Sequence, residues 1–220
     1  PYEERRKTGA FDPPDELIWE EHGRRIVEAM MRSTRMQPCA EDLGCVPECS
    51  ARVLEDYGIP GMDVQRWMRR WETTGEYKAP SEYRANAIAV ISTHDMASLA
   101  AWWKYEAGNE DDRQKFWRSV GLPGPFEAEY SLKFAEACLK AVNAAASVFS
   151  IQSLEDWLRL EDSFKEIHPE HRINVPGTVN DNNWRLRAPF SLEEMQKLPV
   201  NEKILALNRL SGRADSTPFH

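Results

Sequence analysis

Apolar positions fall along this chain in two rhythms. Between Glu16 and Ser33, Ile18, His22, Ile26, Val27, Met30 and Met31 recur near helical spacing and predict an amphipathic helix with one apolar face. Four other runs are short and bounded by polar or turn residues, as strands are. Met36 to Glu41 is mostly apolar and is ended by Glu41 and Asp42. Met62 to Trp67 alternates Met62, Val64 and Arg66 with Asp63, Gln65 and Trp67. Ala87 to Ser92 is continuously apolar up to Ile91 and gives way at once to Thr93-His94-Asp95. Ser147 to Ile151 is the fourth run.

Helical patterns fill the gaps. One spans Glu48 to Tyr57, with Pro47 suited to its first turn and Gly58 to its stop. Others cover Ala97–Glu106, Asp111–Ser119, Glu127–Ala145 and Ser153–Leu160. Ser191 and Glu194 form a capping box that opens a last helical region. Residues 1–15, Glu72–Tyr83 and His168–Pro189 read as loop. Strands alternating with helices predict an α/β fold with parallel strands. Four strands cannot close a barrel of eight, so the pattern is that of half a barrel.

Composition narrows the function classes. With 220 residues, 41% of them hydrophobic, the chain can bury a real core. Its net charge of −8 argues against a nucleic-acid partner, which would need a basic face. The richest basic cluster, Arg66 to Arg70, holds three arginines beside Trp67 and Trp71. No apolar run approaches 18 residues and the N-terminal stretch has no signal-peptide core, so neither a membrane span nor export is expected. Cys39, Cys45 and Cys49 are spaced C-x5-C-x3-C, which is not a usual zinc pattern. They and Cys138 are expected to be reduced cytoplasmic thiols, with no metal bound.

Carboxylates at the ends of buried strands fit a site better than a core. Loops at the C-terminal ends of parallel strands carry the chemistry in barrel folds. Glu41 and Asp95 stand at two such positions, and a carboxylate pair is the apparatus of glycoside chemistry. The two are expected on parallel strand ends with one strand between them, facing one cleft. His94 can donate to a sugar hydroxyl, and Trp67, Trp71, Trp102 and Trp103 offer stacking faces. The same residue types also serve as helix caps, core histidines and core tryptophans.

Four ordered segments sharpen this. Ala40-Glu41-Asp42-Leu43-Gly44, Gly58-Ile59-Pro60-Gly61-Met62, Ser92-Thr93-His94-Asp95 and Arg172-Ile173-Asn174-Val175-Pro176-Gly177-Thr178 resemble the successive signatures of the 4-α-glucanotransferases, the amylomaltase or disproportionating-enzyme family of the α-amylase clan. Asn183-Trp184-Arg185 fits as well. The resemblance covers residues 36 to 190. It implies the C-terminal half of a (β/α)8 TIM-type barrel in one domain over residues 1–220, the barrel part at 15–190 and a helical segment at 191–220. It further implies Glu41 as general acid/base, Asp95 as the carboxylate that stabilises the transition state, and His94, Asn174 and Trp67 as substrate contacts. The implied substrate is an α-1,4-glucan or maltooligosaccharide, and no cofactor is implied. One departure stands out. The family's nucleophile is an aspartate in an Arg-Ile-Asp segment, and this sequence has none. The chain alone is therefore expected to be inactive, and its open barrel edges to favour self-association. A hydrolase of the same clan and a non-catalytic carbohydrate-binding domain are the competing readings.

Overall fold

The computed structural model of the chain describes residues 13–42, 46–71, 73–161 and 172–214. Within them the helices are α1 (Pro13–Ser33), α2 (Glu48–Asp56), α3 (Leu99–Tyr105), α4 (Glu110–Ser119), α5 (Leu132–Asn143), α6 (Leu154–Leu158), α7 (Leu192–Met195) and α8 (Val200–Leu210). The strands are β1 (Gly61–Val64), β2 (Ala87–Val90) and β3 (Phe149–Ser150), which form a small parallel sheet in the order β1-β2-β3. The α/β alternation is as expected, but the strands are fewer and shorter. By contact the chain divides into two compact units, Pro1–Met62 with Ala85–Ile88, and Asp63–Arg84 with Ala89–His220.

Each difference has a local cause. Met36 to Glu41 is not a strand: among the described residues its backbone bond toward β1 is from Ala40 N–H to the Pro60 carbonyl, 2.9 Å. Pro38 lacks a donor, so the run cannot sustain a ladder. Cys39 accordingly sits exposed rather than within a strand. Alternation over Met62 to Trp67 is cut at Val64 by a 3-10 turn, Gln65–Trp67. There Gln65 Nε2 donates to the Cys138 carbonyl (3.2 Å) and Arg66 Nη1 to the Ala97 carbonyl (2.9 Å). Beyond β3, Gln152 replaces backbone in the ladder. Its Oε1 accepts from Ile91 N–H (2.8 Å) and its Nε2 donates to the Ala89 carbonyl (3.1 Å). The helix expected from Glu127 begins only at Leu132, because Ser131 caps it by accepting from Phe134 N–H.

In the first unit α1 runs longer than its pattern suggested, from Pro13. Its predicted apolar face is not buried: Ile18 is 65% exposed and Met30 54%. Charges make the packing instead. Glu16, Glu20, Arg24 and Glu28 recur every fourth residue and so share one face. Glu20 accepts from Arg24 and from Arg52 of α2, Arg24 reaches Asp56, and Tyr57 Oη donates to Glu28 (2.7 Å). Cys49 and Val53 supply the buried side of α2.

The second unit has an aromatic centre. Trp103, Phe116, Trp117 and Phe134 are almost fully buried; the Trp117 and Phe134 rings stack with centroids 5.6 Å apart, and Trp103 lies 4.2 Å from Phe134. Both indole N–H groups find carbonyls, Trp103 on Glu127 (3.1 Å) and Trp117 on Pro123 (3.2 Å). Trp102 and Trp103 are thus core residues and not the sugar platforms their sequence allowed. Asn143, Ala145, Ser147 and Val148, at the end of α5 and just beyond it, all offer carbonyls to one guanidinium, that of Arg213. This satisfies helix-end acceptors that would otherwise lack donors.

Phe134→Ala should lower stability by about 3–5 kcal/mol, since it empties the middle of the aromatic stack. Arg213→Met should cost about 2 kcal/mol through its lost charged bonds. Chemical denaturation checks both. Burial holds the Cys138 thiol well above its usual pKa, so peptide mapping after brief alkylation should find Cys39 modified and Cys138 untouched until unfolding.

Candidate active site

The loop after β2 carries the chemistry-bearing pair His94-Asp95. It is tied down at both ends from the interior. Ser92 Oγ donates to Asp156 Oδ2 (2.7 Å) and Leu99 N–H to Asp156 Oδ1 (3.0 Å), so one buried carboxylate grips the loop before and after the pair. Ser153 Oγ adds a third bond to Asp156 Oδ2 (2.9 Å). From the other side comes Arg66, whose Nη1 holds the Ala97 carbonyl and whose guanidinium lies 5.0 Å from the Trp102 ring centroid. Burial pulls the Arg66 pKa down to about 10. Within the loop, Thr93 Oγ1 accepts from Asp95 N–H (3.3 Å) and the Thr93 carbonyl from Met96 N–H (3.2 Å).

The pair stays accessible on this buried footing. The His94 side chain is 44% exposed and that of Asp95 31%. Asn174 joins them by two bonds: its N–H donates to the His94 carbonyl (3.1 Å) and its Nδ2 to Asp95 Oδ1 (2.7 Å). His94 Nε2 stands 3.2 Å from the same Oδ1. The Trp184 ring packs 5.0 Å from the His94 ring.

The segment holding Asn174 is braced from within. Asn183 Oδ1 accepts from Val175 N–H (3.2 Å), and Asn183 Nδ2 donates to the Thr178 carbonyl (3.1 Å). Trp184 N–H donates to the Ile173 carbonyl (2.7 Å) with Trp184 at φ +62°, a left-handed conformation that a bulky residue rarely adopts. Such strain persists where its surroundings hold it, and it clusters at functional sites. Arg172 is paired with Glu106 at the start of the segment.

Of the five residues singled out by sequence, the structure brings three together: His94, Asp95 and Asn174. Trp67 is exposed on its 3-10 turn, where its carbonyl accepts from the Trp71 indole (3.2 Å), and among the described residues no bond or ring contact joins it to the group. Glu41 is exposed and belongs to the first unit. Leu43, Gly44 and Cys45 lie outside the described residues, so the rest of that motif and the cysteine triplet are not described. Among the described residues no cluster of three or more acidic, cysteine or histidine side chains could hold a metal ion. Sequence reasoning missed Asp156 and Arg66. Ser153-x-x-Asp156 reads as an ordinary helix start, and nothing local shows that its carboxylate also serves a loop some sixty residues away in sequence.

Comparison with known proteins meets this geometry. The family model described as 4-alpha-glucanotransferase matches residues 15–193. The 4-alpha-glucanotransferase of Chlamydia trachomatis serovar D is 33% identical over 188 residues, covering 85% of this chain and 35% of that protein. That of Chlamydia caviae is 35% identical over 190 residues, covering 86% and 35%. The chain therefore spans about a third of the length of the curated relatives it matches. Among solved structures, the amylomaltase from Streptococcus agalactiae in complex with acarbose superposes with a TM-score of 0.62 at 22% identity, over 80% of this chain and 32% of that one, which is a likeness of fold. The family match takes in every motif from Glu41 to Trp184, and on that ground the chain belongs to the 4-alpha-glucanotransferase family.

Proposed function

We propose that this chain is the C-terminal half of a (β/α)8 catalytic barrel, residues 15–190 with a helical extension at 191–220, within a 4-α-glucanotransferase that moves α-1,4-glucan segments between chains. The observation that carries the reading is the hydrogen-bonded group of His94, Asp95 and Asn174, in a chain of that family.

The reaction is a retaining double displacement. Glu41 protonates the glycosidic oxygen as the C1–O bond breaks, and a carboxylate outside this chain forms an ester with C1. The leaving glucan departs. Glu41, now ionised, takes the proton from the 4-hydroxyl of an acceptor sugar, whose oxygen attacks C1 and expels the carboxylate. Asp95 faces the sugar ring while positive charge spreads over C1 and the ring oxygen. Asn174 and His94 both address its Oδ1, and this fixes the carboxylate in one orientation before charge develops. His94 and Trp67 contact the sugars. A cytoplasmic setting suits the free thiols of Cys39, Cys49 and Cys138. Open sheet edges suit self-association.

Two outcomes test this. Purified chain incubated with maltotriose should yield neither glucose nor longer oligomers, because the nucleophile is not in this sequence. Activity that disappears in Glu41→Gln would contradict that reason. Asp95→Asn and Asn174→Ala should each weaken maltohexaose binding to the chain about tenfold or more, since each removes a charge-assisted bond at the site. Unchanged affinity in calorimetry for both variants would remove the site from this location.

A further inference from the structure

Of the three arginines in the cluster Arg66 to Arg70, two have carboxylate partners. Arg69 pairs with Asp112 at 2.7 Å and Arg70 pairs with Glu82. Arg66 forms no ion pair among the described residues. It is 5% exposed, its Nη1 donates to the Ala97 carbonyl (2.9 Å), and its guanidinium lies 5.0 Å from the Trp102 ring centroid. Its Nε and Nη2 are buried and have no hydrogen-bond partner.

These two nitrogens share one edge of the guanidinium. Nε–H and one N–H of Nη2 point the same way along the planar group, and together they make the fork with which arginine holds an anion. The energetics also ask for a negative charge. Taking a cation out of water costs several kcal/mol even after relaxation. A bond from a charged donor returns about 1.5–3 kcal/mol, and a ring contact about 0.5–2 kcal/mol. The charge and the fork are still unanswered. Asp156 and Glu106 favour the charged form of Arg66 from a distance, but both are already engaged. Asp156 accepts from Ser92, Ser153 and Leu99, and Glu106 is paired with Arg172. Arg172 in turn brings further positive charge to the surroundings of Arg66.

We propose that the Nε and Nη2 edge of Arg66 binds a small monovalent anion of the chloride class, behind the loop that carries His94 and Asp95. Burial disfavours a bulky or divalent oxyanion such as sulfate, which would bring a larger desolvation cost and a surplus charge. A water molecule could meet the donors but would leave the charge uncompensated. Ala97 lies two residues beyond Asp95. An anion that fixes the guanidinium therefore also fixes the Nη1 bond that holds the far end of the loop. The proposal rests on Arg66 and its neighbours and does not depend on the reaction proposed above.

Two measurements on the whole chain test it. In the first, thermal unfolding is followed while sodium chloride replaces sodium gluconate at constant ionic strength. The midpoint should rise by about 3–5 °C for each tenfold increase in chloride above the dissociation constant, and sodium sulfate should not reproduce the rise. Arg66→Met should abolish it. An apolar side chain in place of a buried, unpaired charge is often tolerated, so this variant is expected to fold. An equal rise in Arg66→Met would place the effect elsewhere and refute the site. The second measurement needs no variant. In a crystal of the unaltered chain soaked in sodium bromide, anomalous scattering should show bromide within hydrogen-bonding reach of Nε and Nη2. Water at that edge, with bromide confined to the surface, would overturn the proposal.

Discussion

The site in this chain depends on one buried carboxylate. Asp156 accepts from Ser92 Oγ, Leu99 N–H and Ser153 Oγ, and so pins both ends of the loop that carries His94 and Asp95. A buried carboxylate is tolerable only when its lone pairs are occupied, and here they are filled from three directions. The Arg66 guanidinium adds a tether between the two pins, on the Ala97 carbonyl. The loop can thus leave its exposed pair accessible without being loose. Positioning from below and access from above are what a group needs if it must meet charge that appears only during reaction.

Asn174 completes that arrangement from far along the chain. Its backbone and side chain act on two neighbouring residues at once, the His94 carbonyl and the Asp95 carboxylate. Its own segment has no regular secondary structure, so order there comes from side chains such as Asn183 and from the strained Trp184. An irregular loop braced in this way can be shaped to a ligand more freely than a helix or strand.

Much of this was legible in the sequence, for reasons that differ by element. Ala87–Val90 is buried at every position, so its continuous apolar run gave the strand away. Ser153 and Ser191 open their helices where the sequence placed them, whereas the cap at Ser131 was read through and the start of α5 set at Glu127 instead of Leu132. Met36 to Glu41 misled because apolar content was weighed above the missing donor at Pro38. The apolar positions of α1 misled in another way: periodicity shows that a face exists, and cannot show that anything in this chain covers it. His94, Asp95 and Asn174 were singled out because they lie in short ordered motifs, and the structure joins the three by hydrogen bonds. Asp156 and Arg66 were not, because their partners lie about sixty and about thirty residues away in sequence, and a buried tether has no local signature.

If the proposed function holds, an α-glucan sits against Asp95 in the orientation set by Asn174 and His94. The most direct measurement is a crystal structure of the chain with acarbose bound. A sugar ring is expected within hydrogen-bonding distance of the Asp95 carboxylate, with His94 and Asn174 keeping their contacts to it. Acarbose bound elsewhere, with the Asp95 carboxylate facing only solvent, would contradict it.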